Sequence, residues 1–205
     1  MESIEYKGYT IEIIQDDIAE SPRTWDNLGT MICFHKGYSL GDNEEKRGGK
    51  YLVTEKAEDF NGWDGMAEYL IKEKKAVVVF PLHLYDHSGI SIKVGSFYGL
   101  APHASWDSGQ VGFIYITKEK ALKEFSKKKV TKALINKLEK LLIGEVETYN
   151  QYLTGDVYGF KVMKNDTEFD ACWGFFGEDD AIAEAKSNID YYAEEEKKLT
   201  PALMA

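Results

Sequence analysis

Residues 76–94 read AVVVFPLHLYDHSGISIKV, and this stretch decides the fold class. From Ala76 to Tyr85 the residues are mostly β-branched or aromatic, a composition that suits a pleated, half-buried strand. Asp86-His87-Ser88-Gly89 supplies turn formers, and Gly89–Val94 returns as a second run. Two strands joined so closely must be antiparallel, because a parallel pair needs a crossover of a dozen residues or more. Pro81 has no N–H to give to a ladder, which predicts a sheet edge or a bulge at that point.

Outward from this hairpin, alternating apolar patterns predict strands at 8–15 (GYTIEIIQ), 29–36 (GTMICFHK), 110–117 (QVGFIYIT), 156–164 (DVYGFKVMK) and 168–176 (EFDACWGFF). The period changes to that of a helix at 65–74, 118–127, 131–153 and 178–198. In the third of these, Leu134, Leu138, Leu141, Leu142, Tyr149, Tyr152 and Leu153 share one face. The strands cluster without regular βαβ alternation. The expected class is therefore α+β: a mainly antiparallel sheet of about six to seven strands with about four helices packed on it. No Pro- or Ser-rich linker divides the chain, so 1–205 reads as a single domain. Residues 37–50 (GYSLGDNEEKRGGK) are expected to form a mobile charged loop and 198–205 a C-terminal tail.

Composition narrows the function classes. The 13 Tyr, 10 Phe and 4 Trp exclude a disordered chain. No apolar run approaches the ~20 residues that span a bilayer, and the N-terminal MESIEYKGYT lacks the apolar stretch of a secretory signal. A cytoplasmic protein without membrane contact is expected. The two cysteines, Cys33 and Cys172, lie far apart in apolar runs and are expected as buried free thiols, not as a disulfide or a zinc set. Neither a cofactor nor a metal is expected. The net charge of −10 is unevenly spread: residues 1–70 carry −8, residues 71–144 carry +7 and residues 145–205 carry −9. An acidic total disfavours general nucleic-acid binding. The nine lysines between Lys118 and Lys140 come without arginine, so a solvated helix face is the first reading and direct nucleic-acid binding the weaker one.

Three groups could carry chemistry. His83, Tyr85 and His87 project from one face of a strand, and two imidazoles four residues apart on a strand are roughly 13 Å apart, too far to share a metal. With Asp86 in the turn, His87 could instead meet Asp26, Asp107 or His103 from neighbouring loops. Glu145 stands in the apolar stripe of the long helix, where a lone carboxylate must find partners; Gly144 could also break the helix there. In 147–159 polar and aromatic residues alternate, and Tyr149, Gln151, Tyr152, Asp156 and Tyr158 read as recognition chemistry. Trp25-Asp26 and Trp106-Asp107 each precede a glycine and an apolar strand, a second pair of candidate binding elements. No GxGxxG, P-loop, GxSxG, HExxH or CxxC motif is present.

The strings ESPRTWDNLGTMICFHKGYSLGD (20–42), PLHLYDHSGISI (81–92), WDSGQVGFIYITKEK (106–120), VETYNQYLTGDVYGF (146–160) and CWGFFG (172–177) resemble a family of accessory proteins of phages, prophages and mobile elements whose activity is not settled. The resemblance covers most of residues 20–177 and carries over no catalytic residue. It implies a bacterial host cytoplasm and a role against host defence, of anti-CRISPR or antirestriction type. The expected partner is a host complex such as a CRISPR effector or restriction enzyme, bound through an acidic, aromatic-containing surface. The alternative expectation is a metal-dependent hydrolase or nuclease built on His83, Asp86, His87, Asp107 and Glu145, with Asp26 nearby. The missing enzyme motifs lean against catalysis.

Overall fold

A computed structural model describes residues 2–42, 46–47, 50–51, 56–165 and 167–203. Its strands are β1 (Glu2–Tyr6), β2 (Tyr9–Gln15), β3 (Thr30–Cys33), β4 (Lys46–Arg47), β5 (Lys50–Tyr51), β6 (Ala76–Asp86), β7 (Ile90–Val94), β8 (Ser108–Thr117), β9 (Val157–Lys164) and β10 (Thr167–Phe176). The α-helices are α1 (Gly62–Lys72), α2 (Ala104–Asp107), α3 (Lys118–Glu124), α4 (Lys132–Thr154) and α5 (Glu178–Leu203). The class is α+β, as the hairpin reading implies. The eight longer strands form two antiparallel four-stranded sheets instead of one sheet of six to seven, and β4 and β5 make a short separate ribbon. The chain divides into two compact units, residues 1–20 with 155–205, and residues 21–154.

The larger unit, 21–154, holds the sheet β3-β8-β6-β7. Period-2 alternation gives each strand two faces, and both are covered. Leu82, Leu84, Ile92 and Ile114 pack with Leu138, Leu142, Val146 and Tyr149 of α4. Ile32, Phe113 and Tyr115 pack with Met66 and Leu70 of α1 on the other face. The hairpin predicted at 77–94 is present, with Asp86 paired to Ile90 and Leu82 to Val94. Pro81 lies in an inner strand, not at an edge. It is tolerated because β7 pairs with β6 only from Leu82 onward and the register against β8 shifts between Leu82 and His83. Gly144 does not interrupt α4, which runs unbroken through Glu145.

Part of the segment expected to be a mobile loop is packed. Leu40 and Asp42 are buried, and Gly41 N–H donates to Tyr149 Oη at 3.0 Å. Gly41 takes φ +66° and lies so close to the Met31 carbonyl that a Cβ would stand 2.8 Å from its oxygen. Of the remainder, residues 43–45 and 48–49 lie outside the described residues.

The smaller unit, 1–20 with 155–205, holds the sheet β1-β2-β9-β10. Tyr9, Ile11, Ile13, Phe160 and Val162 point to one face and meet Ala181, Ala185 and Ile189 of α5. Ile182 of α5 packs against the same cluster. β1 was not legible as a strand, because ESIEY has only two apolar positions. Cys172, on the edge strand β10, is exposed, contrary to the expectation of two buried thiols; Cys33 is buried. The helix α5 continues to Leu203, and residues 204–205 of the expected tail lie outside the described residues. Among the described residues, no helix is long and apolar enough to cross a membrane.

Candidate functional site

The sequence candidates separate into distinct places. In unit 21–154, the β6–β7 turn brings His87 to Asp107 at the end of the one-turn helix α2, with Nδ1 to Oδ2 at 2.8 Å. With the carboxylate as acceptor, Nδ1 carries a hydrogen, and in the neutral ring that tautomer leaves the lone pair on Nε2. The pair is open to solvent, with side chains 48% and 31% exposed. A ladder of rings surrounds it. Phe97 lies 5.4 Å from Tyr85, Tyr85 5.7 Å from His87, and His87 5.9 Å from His103, with interplanar angles of 31°, 19° and 24°. Tyr85 Oη donates to the Pro102 carbonyl at 3.0 Å, tying the 96–107 loop over the strand. His103 holds φ +54°, a left-handed conformation costly for a residue with a side chain, and the loop fixes it there.

On the neighbouring side, Tyr38 Oη donates to Asp86 Oδ2 at 3.0 Å, and His35 stacks on Tyr38 at 4.9 Å. The backbone N–H groups of Gly37 and Tyr38 donate to His35 Nδ1. Asp86 raises the Tyr38 hydroxyl above its usual value by accepting its hydrogen bond. A cleft of about 490 Å3 is lined by His35, Lys36, Asp86, Trp106, Asp107 and Gln110 among others. Trp106 is 88% exposed at its rim. His35 and Tyr38 escaped sequence reasoning, because nothing in HKGY marks a partner 48 residues away.

His83 lies on the same strand as Tyr85 and does not join the His87–Asp107 pair. Its Nδ1 is buried without a hydrogen-bond partner, and burial, helped by the Lys93 charge, pushes its pKa below 6.5. Asp26 is elsewhere too. It lines a small pocket with Arg23, Trp25, Asn27 and Lys120. Glu145 reaches that region and accepts from Leu28 N–H at 2.7 Å, Gly29 N–H at 3.1 Å and Arg23 Nη1 at 3.0 Å. Arg23 also holds Asp42 at 2.8 Å and the Gly29 carbonyl at 2.9 Å, and Asp42 accepts from Met31 N–H at 2.9 Å. Glu145 thus finds its partners by latching the Trp25–Gly29 turn. The two Trp-Asp motifs are locally different: Trp25 follows a 3-10 turn, whereas Trp106 sits within α2.

The 147–159 group is divided between the two units. Tyr149 is fully buried and stacks on Tyr152 at 6.2 Å, so its hydroxyl works inside the unit. Tyr149, Gln151 and Tyr152 belong to unit 21–154, while Asp156 and Tyr158 belong to the other unit. Burial and the charges of Asp156 and Glu178 raise the Tyr158 hydroxyl above its usual value. Among the described residues, no three His, Cys, Asp or Glu side chains converge as a metal would require. The metal-dependent form of the enzyme reading therefore lacks a ligand set among those residues.

The charge pattern changes shape on folding. The two acidic ends of the sequence belong to the same unit, which carries 18 acidic and 6 basic residues, net −12. Unit 21–154 carries 17 acidic and 19 basic residues, net +2. Comparison of the chain with models of protein families, with curated proteins and with solved structures finds no match.

Proposed function

We propose that this chain is a counter-defence binding protein whose acidic unit occupies the cationic nucleic-acid channel of a host complex of the CRISPR-effector or restriction-enzyme type. The observation that carries the reading is the union of two sequence ends into one compact unit of net charge −12. Asp17, Glu20, Asp179, Asp180, Glu184 and Glu194 are exposed on it. An array of carboxylates offers a nucleic-acid-binding groove the charge sign it is built to take, and such complementarity steers encounter and selects partners. Resemblance to phage and mobile-element proteins supplies the biological setting.

The test is inhibition of a panel of purified defence nucleases, with target DNA as competitor. Binding should weaken steeply from 50 to 300 mM salt, because exposed charges are screened beyond roughly 10 Å at 0.1 M. The triple variant Asp179→Lys, Asp180→Lys, Glu184→Lys should bind at least tenfold more weakly. Salt-insensitive binding, or inhibition unaffected by those charge reversals, would refute the reading.

A further inference from the structure

We propose that His87 and His103, with Asp107 as the positioning residue, form a metal-independent acid–base site that cleaves single-stranded RNA by internal transphosphorylation. The site is independent of the acidic unit. Three features of unit 21–154 converge on it. The first is the pair of imidazoles: rings 5.9 Å apart and nearly parallel present two proton-transfer groups side by side. The second is the Asp107 contact at 2.8 Å, which fixes the tautomer of His87 and leaves Nε2 as a base. The third is the surround. Trp106, next to Asp107 in α2 and 88% exposed, offers a face on which bases stack, and stacking is indifferent to base identity. Lys36 lines a cleft that Trp106 and Asp107 also line, and it can hold phosphate in a unit that lacks the acidic excess of the other.

RNA is the substrate class because it carries its own nucleophile. His87 Nε2 takes the proton from a ribose 2′-hydroxyl while that oxygen bonds to the adjacent phosphorus. The bond from phosphorus to the 5′-oxygen breaks, and the departing oxygen takes a proton from the His103 imidazolium. The products are a 2′,3′-cyclic phosphate and a free 5′-hydroxyl, and water restores the two protonation states. No metal, oxidant or enzyme nucleophile enters. The Ser108 hydroxyl is already given to the Ala104 carbonyl at 2.5 Å.

The experiment incubates the full chain with 5′-labelled single-stranded RNA in EDTA, beside DNA and 2′-O-methyl RNA of the same sequence. The expected result is RNA fragments ending in cyclic phosphate and no cut in the other two strands. His87→Ala and His103→Ala, purified identically, should each slow cleavage about 100-fold or more. His87 is half exposed, so folding is spared, and added imidazole should restore part of the lost rate in His87→Ala. Asp107→Asn should lower kcat with KM unchanged. Intact RNA, equal cleavage by His87→Ala, or cleavage of DNA would each overturn the proposal.

Discussion

Arg23→Met tests how the Trp25–Gly29 turn is held. The Arg23 side chain is 1% exposed, and its guanidinium lies between Asp42, 8% exposed, and Glu145, 16% exposed. Taking three charges out of water is costly, and good geometry repays it: two ion contacts of 2.8 and 3.0 Å, plus backbone N–H groups on both carboxylates. Methionine keeps most of the side-chain volume and removes the cation. Two carboxylates then face each other's field without a counter-charge, and the Gly29 carbonyl loses its donor. Breaking a buried pair in this way costs about 3–5 kcal/mol, a large part of the ~5–15 kcal/mol that holds a domain folded. For a urea m-value of about 2 kcal/mol/M, the midpoint should fall by roughly 1.5–2.5 M. The assay is urea unfolding followed by fluorescence, with Lys7→Met as control, since the Lys7–Asp190 pair is half exposed and should contribute nothing measurable. A loss below about 1 kcal/mol for Arg23→Met would put the cluster in the class of solvated surface pairs and refute the latch.

Two further outcomes follow from packing and burial. Gly159→Ala should displace Trp173, because a Cβ there would overlap the indole ring, and the cost should be about 1–3 kcal/mol; Gly109→Ala meets nothing within 4 Å and serves as the neutral comparison. A red-shifted emission in the first and none in the second checks it. Burial, with the Lys93 charge, lowers the His83 pKa from 6.5 and so favours its neutral form in the fold. Its unfolded form binds more protons below pH ~6.5, so its contribution to stability is complete above that pH and is lost as pH falls toward the folded value. Urea midpoints from pH 7.5 to 5.5 should therefore fall more steeply for the native chain than for His83→Gln; equal slopes would remove His83 from the account.

What the sequence made legible was whatever depends on neighbours in the chain. AVVVFPLHLYDHSGISIKV announces its hairpin because alternation, turn residues and the return strand are all local. The same locality explains why the long helix α4 and the stripe on it could be read. The sites depend on distance along the chain. Arg23, Asp42 and Glu145 meet across as many as 122 residues, and the first two carried no mark of their own in PRTW or LGDN. His87 and Asp107 are separated by only 20 residues, and that pairing was within reach, because a hairpin followed by a loop back to the neighbouring strand must bring their ends together. The charge pattern shows the limit most clearly. Read along the chain, it is a basic middle between acidic ends. In the fold it becomes one acidic unit and one nearly neutral one, because β1 and β2 leave the N-terminus to pair beside β9. A partner therefore meets the charge of a unit, which is presented on a surface, and not the charge of a third of the sequence.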